Sequence, residues 1–498
     1  MTRFSVWAPE APRMRVRVDG VDHPMHLEPG GWWRVEVDSP AHGADYGYLL
    51  GDSAEPLPDP RSRWQPHGVH GLSRTYDHAR FQWTDTGWAG RELTGGVMYA
   101  LHVGSFTPEG TFDAAIGQLD HLTDLGVDAV QLRPVNVERG PVQYTACWYT
   151  PHPTYGGPDG LKRFVDACHA RGIAVVLELH YDHVESSAPR LGPYLADVVN
   201  TWGHTLALDG PHADGIRSFI ADNALMWLRD YHADGVRLDA AHTLIDRPAM
   251  GLLEELANQV EALGAKLGRT LSLIAGSDRV GARLITPRTT GGDLASLWRR
   301  QDGDGPRDYR AEFGTLDRLF AALRERFADL GVDRPLAALS PGLLRLGATL
   351  LLTGPGTPVV QMGEEWCARR TGDPGAPSWP GHAADALSGL DWSELDKREH
   401  SEMFELYRRL LALRKEQPDL AAPVLRPGDS WQGASFIAVR RGWCVVVANL
   451  RRTPQRVNLR GTARSVLVAT EPGLVLVHDA AELPGESAAV IACCRFDR

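Results

Sequence analysis

The chain contains no run of about 18 apolar residues, so no segment is expected to cross a membrane as a helix. Its first residues, Met-Thr-Arg-Phe-Ser-Val-Trp-Ala-Pro, enter a strand pattern at once and do not read as a signal peptide. Cysteine is scarce: six in 498 residues, at 147, 168, 367, 444, 493 and 494, without zinc-ligand spacing. Cys493 and Cys494 are neighbours, which in a strand point to opposite faces. Reduced thiols in a cytoplasmic protein are therefore expected. Basic residues are outnumbered, 52 Lys and Arg against 63 Asp and Glu. The net charge of −11 argues against nucleic acid or an anionic membrane surface as partner. Low-complexity tracts and short-period repeats are also missing.

What remains is the composition of an ordinary soluble protein, 43% hydrophobic and 23% charged. Its length exceeds what one core supports, so two or three domains are expected. Residues 1–90 alternate apolar and polar positions over short runs broken by Gly, Pro and Asp, the pattern of a small β-sandwich. Residues 58–71 carry no strand signal and read as a linker wrapped on the next domain. From Gly96 the period changes. Strands at 97–103, 127–132, 173–179, 236–239, 271–275 and 359–362 alternate with helical patterns at 112–125, 161–168, 216–231, 252–263, 316–327 and 343–352. Such alternation over residues 91–424 predicts a parallel (β/α)8 TIM-type barrel, α/β in class. After a helix at 401–415 the period returns to two, which predicts a C-terminal β-sandwich over 425–498.

The chemistry concentrates at Gly235-Val-Arg-Leu-Asp-Ala-Ala-His242, after an amphipathic helix that spaces Ile216, Ile220, Ala224, Trp227 and Tyr231. Residues i and i+2 of a strand share a face, so Arg237 and Asp239 project together. A carboxylate at the C-terminal end of a barrel strand is where such barrels carry catalysis. A structural Arg–Asp pair at a strand end is the plainer alternative. Fifteen Trp is a high number, and Trp148, Tyr149, Tyr155 and Trp202 are candidates for stacking on sugar rings, although packing explains most aromatic residues. His180, Asp182 and His183 have a spacing open to a metal, but polar loop residues are the simpler account. No metal and no cofactor is expected.

At this point the sequence resembles the malto-oligosyltrehalose trehalohydrolases of the α-amylase superfamily over nearly its whole length. The resemblance rests on Leu101-His-Val-Gly-Ser-Phe-Thr-Pro-Glu-Gly-Thr-Phe112, Pro153-Thr-Tyr-Gly-Gly-Pro158, the run from Asp222 through His242, Gly363-Glu-Glu-Trp366 and the linker with Gln65-Pro-His-Gly-Val-His-Gly71. It implies cleavage of the α-1,4 bond beside a terminal trehalose, with retention, by two carboxylates about 5 Å apart. It assigns the nucleophile to Asp239, with Arg237 holding its charge and His183 and His242 lining the pocket mouth.

The second carboxylate is where this chain departs. The resemblance places the acid/base Glu after the strand Leu271-Ser-Leu-Ile-Ala275, where this sequence has Gly276-Ser-Asp278. The family's Asn-His-Asp loop, expected after a seventh strand, has no counterpart, since the chain contains no Asn-His pair and only residues 331–340 lie between the flanking helices. The barrel is thus expected to be incomplete around strand 7. A Tyr that stacks under the reacting sugar corresponds to Gln143. The family's Asp-Val-Val-Tyr-Asn-His stretch reads Glu178-Leu-His-Tyr-Asp-His183 here. Loss of a placed acid/base costs about 10²- to 10⁴-fold.

Three functions follow as expectations. The first is a pseudoenzyme that binds an α-glucan, or a partner enzyme of glucan and trehalose metabolism, through Arg237, His183, His242, Glu178, Gln143 and Trp148. The second is an active glycosidase or transglycosylase with replaced chemistry. There Asp239 attacks malto-oligosyltrehalose or an activated glucosyl donor, or Glu178, Asp182, Asp278 or Glu365 takes the acid role. The third is an interaction protein with no sugar ligand.

Overall fold

The computed structural model describes residues 1–139, 144–181, 195–200, 203–206, 208–209, 212–239, 244, 251–275, 297–299, 339–368, 389–422 and 429–494. Among the described residues the barrel sheet shows seven strands: β1 (Met98–Leu101), β2 (Ala129–Leu132), β3 (Ala174–His180), β4 (Gly235–Asp239), β5 (Ser272–Ala275), β6 (Leu297–Arg299) and β7 (Val359–Gln361). The expected helix at 316–327 and most of segment 331–340 lie outside the described residues, as does any strand between β6 and helix Pro341–Thr353. The chain divides into two compact units.

The first unit holds residues 1–91, 102–118 and 131–298. Its N-terminal part is antiparallel. Thr2–Trp7 pairs with Trp32–Val37, and Met14–Val18 with Asp45–Leu50. Their inward faces bring Phe4, Val16, Val18, Trp33, Tyr46 and Tyr48 into one core. β3, β4 and β5 follow as parallel neighbours in that order. Their apolar runs (Ala-Val-Val-Leu, Gly-Val, Ser-Leu-Ile-Ala) are buried throughout, as strands covered on both faces must be. Three helices accompany them: α1 (Gly157–Ala170), α2 (Ala213–Asp230) and α3 (Leu252–Leu267). Ile216, Ile220, Ala224, Trp227 and Leu228 make the buried stripe of α2. Its Gly215 lies against the Trp7 indole so closely that a β-carbon would strike the ring. α3 stops at Gly268, whose φ of +65° closes the helix in the left-handed region open to glycine.

The second unit holds residues 92–101, 119–130 and 299–498. There β7 lies parallel to β1, with Val359 opposite Met98. Helix α4 (Pro341–Thr353) starts where Ser340 Oγ accepts the Leu343 N–H and Pro341 supplies a ready-made first turn. Helix α5 (Arg398–Glu416) carries the buried Arg414, which donates to the carbonyls of Gly95, Leu352, Gly354 and Leu420 and so gathers three segments on one guanidinium. Beyond it, Ser430–Gln432, Phe436–Arg441, Cys444–Asn449, Ser487–Cys494 and Thr462–Ala469 form a five-stranded antiparallel sheet in that order. Val445, Val447 and Ile491 from it share a core with Val457 and Ala481 from a second, three-stranded sheet.

Two elements differ from their sequence periodicity. The helical pattern at 112–125 divides into Phe112–Ile116 and Leu119–Leu125, because the Gly117 N–H bonds back to Ala114 and Ala115 and ends the first turn there. The strand expected to reach residue 103 stops at Leu101, since His102 leads the chain into a short helix, Val103–Phe106. All six cysteines are free thiols, and among the described residues no helix is long and apolar enough to cross a membrane.

Candidate active site

The C-terminal ends of β3 and β4 set the site. In their parallel register Glu178 stands opposite Arg237 and His180 opposite Asp239. The two-residue period then turns all four side chains to one face. Arg237 is the hub. Its Nη2 donates to Asp239 Oδ1 at 2.8 Å, and its Nη1 lies 2.7 Å from Glu178 Oε2. Gln131 of β2 donates from Nε2 to the same Glu178 oxygen at 2.5 Å, and His180 Nε2 lies 3.1 Å from Oε1. Glu178 and Arg237 are buried, while Asp239 and His180 are half-buried at the strand mouths.

These partners decide the protonation of Glu178. Burial alone would raise its pKa, but the Arg237 charge, the His180 contact and the Arg133 charge outweigh it, so the carboxyl is held well below the ordinary glutamate range. Burial likewise works against the Arg237 cation and is overcome by Glu178 and Asp239, which raise its pKa. Glu178 therefore accepts hydrogen bonds at neutral pH and has no proton to give. A general acid needs the opposite shift.

The expected aromatic lining is placed inside. Trp148 is buried, with its ring centroid 4.8 Å from Tyr181 and 5.3 Å from Phe219. Its carbonyl accepts from Asn136 and Asn223. Tyr149 is fully buried and donates to the Phe219 carbonyl. Tyr155 is half-buried, 3.2 Å from His102 Nε2 through its hydroxyl. Glu365, one of the substitute acids considered from sequence, is fully buried in the second unit, where Tyr99 donates to it at 2.8 Å and His121 Nε2 lies at 2.9 Å. Gln143, Asp182, His183, Trp202, His242, Gly276 and Asp278 lie outside the described residues.

The structure thus unites Glu178, Arg237 and Asp239 and adds two residues not assigned to the pocket from sequence. In the sequence His180 carries no signal beyond its spacing to Asp182 and His183. Gln131 left a faint signal, a polar residue inside the buried strand Ala-Val-Gln-Leu.

A barrel sheet ending in an arginine-held aspartate on its fourth strand, with antiparallel β domains before and after it in sequence, defines an α-amylase-superfamily glycoside hydrolase fold. Residues 76–189 match the family described as alpha amylase, catalytic domain. The chain is similar to the malto-oligosyltrehalose trehalohydrolase of Arthrobacter ramosus, 39% identical with 98% of this chain and 99% of that protein covered. It is also similar to the one from Mycobacterium tuberculosis (strain ATCC 25618 / H37Rv), 37% identical with 99% of each covered. The chain belongs to the malto-oligosyltrehalose trehalohydrolase family. Among solved structures, a putative alpha amylase from Salmonella typhimurium shares the fold at a TM-score of 0.80, with 23% identity and 98% and 97% of the two chains covered. A pullulanase from Anoxybacillus sp. LM18-11, complexed with maltotetraose, does so at 0.76, with 19% identity and 99% and 86% covered.

The alignment with the Arthrobacter protein runs to 579 positions over a chain of 498 residues, so at least 81 positions have no residue here. Both sequences are spanned almost end to end, so this shortening is internal.

Proposed function

We propose that this chain is a trehalohydrolase relative that has lost ordinary retaining hydrolysis and acts by holding an α-glucan, or a partner enzyme of α-glucan and trehalose metabolism. The observation that carries the reading is the set of carboxylates at the strand ends. Asp239 keeps its arginine. Strand β5 runs out at Ala275 and is followed by Gly276, which has no proton to deliver. Glu178 is held ionised by Arg237 and His180 and cannot stand in. The internal shortening relative to full-length trehalohydrolases supports the same reading, as does the missing Asn-His pair. A malto-oligosaccharide is the ligand class the relatives' name suggests. Six free thiols fit a cytoplasmic setting. We include neither nucleic acid nor membrane among its partners.

The test is trehalose release from a malto-oligosyltrehalose by the purified chain, with Asp239→Asn beside it. Release no faster than in the variant is expected, together with a rise in melting temperature on adding malto-oligosaccharide at millimolar concentration. Release at an ordinary enzymatic rate, lost in the variant, would overturn the reading. No thermal shift with any malto-oligosaccharide would leave only the partner-protein form.

A second reading is favoured by the retained Arg237–Asp239 pair, 2.8 Å apart. An aspartate so held can attack a donor whose leaving group needs no proton. Turnover of α-glucosyl fluoride that vanishes in Asp239→Asn would establish it. Equal rates in both proteins would remove Asp239 from any mechanism.

A further inference from the structure

The same strand ends hold a second arrangement. Among the described residues one group of three side chains has the ligand atoms for a metal ion: Glu178, His180 and Asp239, with one ligand atom from each within 4.8 Å of the others. We propose that this group is a binding site for a divalent transition metal, zinc(II) first among them, seated across the ends of β3 and β4.

The geometry supports this in three ways. The ligands come from neighbouring positions of two hydrogen-bonded parallel strands, with His180 in register with Asp239, so backbone pairing fixes their spacing. Such rigidity is what a metal site needs from its scaffold. Next, His180 Nε2 and Glu178 Oε1 are 3.1 Å apart. With metal–nitrogen and metal–oxygen bonds of about 2.0–2.2 Å, adjacent ligand atoms in a tetrahedral or octahedral shell sit about 3.0–3.4 Å from each other. These two atoms already span one edge. Asp239 completes the group with a ligand atom within 4.8 Å of the other two.

The chemistry of the set is also suitable. One imidazole nitrogen with two carboxylates suits zinc(II) or manganese(II) rather than the all-oxygen shell of calcium or magnesium. Three protein ligands leave the remaining positions for water or a ligand, as open zinc sites do. Arg237 touches both carboxylates and Gln131 holds Glu178, which gives the ligands the outer hydrogen bonds that orient metal sites. The Arg237 cation opposes the metal charge, and two carboxylates facing one guanidinium leave a negative balance among these three groups. His180 falls where the resembled stretch Asp-Val-Val-Tyr-Asn-His has a valine, so the nitrogen ligand belongs to this chain's own departure from that pattern.

The proposal does not depend on glucan binding or on lost hydrolysis, and its test reads the metal alone. Full-length chain stripped with chelator is titrated with zinc chloride by calorimetry, and separately with cobalt(II) followed by visible absorption. One saturable zinc site per chain is expected, with a cobalt(II) band of mixed nitrogen and oxygen coordination. His180→Gln keeps a polar side chain beside Glu178 but removes the imidazole, and Asp239→Asn removes a charged ligand. Each should weaken zinc binding by at least the roughly 10- to 100-fold that loss of an outer partner costs. Absence of saturable zinc binding or of the cobalt(II) band in the unmodified chain overturns the proposal, and neither result needs a folded variant. Undiminished affinity in both variants, with unchanged circular dichroism, overturns it too by placing the metal elsewhere.

Discussion

Glu178 and Arg237 are register partners across the β3–β4 pairing, and their side chains meet at 2.7 Å with 10% and 11% of their surfaces exposed. A buried pair of this kind adds little over an apolar pair of the same shape, but removing one partner strands the other charge. Arg237→Met should therefore destabilise the chain by about 3–5 kcal/mol, read from urea unfolding at neutral pH.

The same pair sets an acid limb. The folded pKa of Glu178 is depressed from its ordinary value of 4.5, so its stabilising contribution is complete above pH 4.5 and is lost as pH falls towards the folded value. In Arg237→Met the chief opposing charge is gone and the depression shrinks. Unfolding free energy followed from neutral pH to below 4.5 should then fall less steeply in the variant than in the parent.

A second network works in the opposite direction. His169 lies wholly inside the first unit, with Nδ1 2.8 Å from Asp85 Oδ2 and Nε2 3.0 Å from Asp234 Oδ2. Trp88 stacks on its ring and donates to Asp234, which also accepts from Arg269. Burial opposes the imidazolium, yet bonding to Asp234 and Asp85 prevails and raises its pKa above 6.5. Its contribution is thus full below pH 6.5 and fades as pH rises through the raised value. Unfolding free energy should decline on the alkaline side. His169→Gln should remove that slope and cost about 3–5 kcal/mol at pH 6 or below.

Lys162 gives a third, contrary case. It is buried beneath Tyr76, Phe81, Trp83 and Tyr231, each ring centroid within 5.9 Å of Nζ, and donates to the His78 carbonyl at 3.0 Å. Burial lowers its pKa from 10.5 to about 8, against the pull of Asp230, Asp159 and Asp77. The unfolded chain then binds more protons between those values, so this residue makes stability rise with pH from about 8 to 10.5. Lys162→Met keeps the length without the buried charge. Its melting temperature at pH 7 should equal or exceed the parent's, and the rise between pH 8 and 10.5 should flatten.

How much of this was legible in the sequence depended on range. Arg237 and Asp239 are two apart on one strand, so their meeting follows from the pleat. The strand ends at Leu179 and Asp239 were plain from apolar runs that stop at polar residues. Glu178 and His180 share that two-residue spacing, but Gln131 reaches Glu178, and Glu178 reaches Arg237, only through strand order and register, which periodicity does not contain. The His169 cluster was hidden for the same reason: Asp85, His169 and Asp234 come from a loop, a helix end and a strand start more than 60 residues apart. Lys162 occupies the amphipathic pattern of α1 as though it were an exposed position, and nothing local says that four aromatic rings cover it. Gly117 within the 112–125 pattern was a visible break. An apolar period continuing on both sides of it concealed the division into two helices.

The most direct probe of the proposed loss of hydrolysis is the residue after β5. Gly276→Glu returns a carboxyl to the position the trehalohydrolase resemblance assigns to the acid, in a chain whose Asp239 is still held by Arg237. A placed acid/base supplies about 10²- to 10⁴-fold, but residues that act as a unit do not restore rate independently. With the Asn-His pair missing and at least 81 aligned positions gone, the gain should stay at the low end of that range. Trehalose release from a malto-oligosyltrehalose should therefore rise above the parent in Gly276→Glu and return to background in Gly276→Glu/Asp239→Asn. A rise that survives loss of Asp239 would assign the nucleophile to another residue. No rise at all, in a variant that melts like the parent, would move the defect from the missing proton donor to the rebuilt sugar-binding wall.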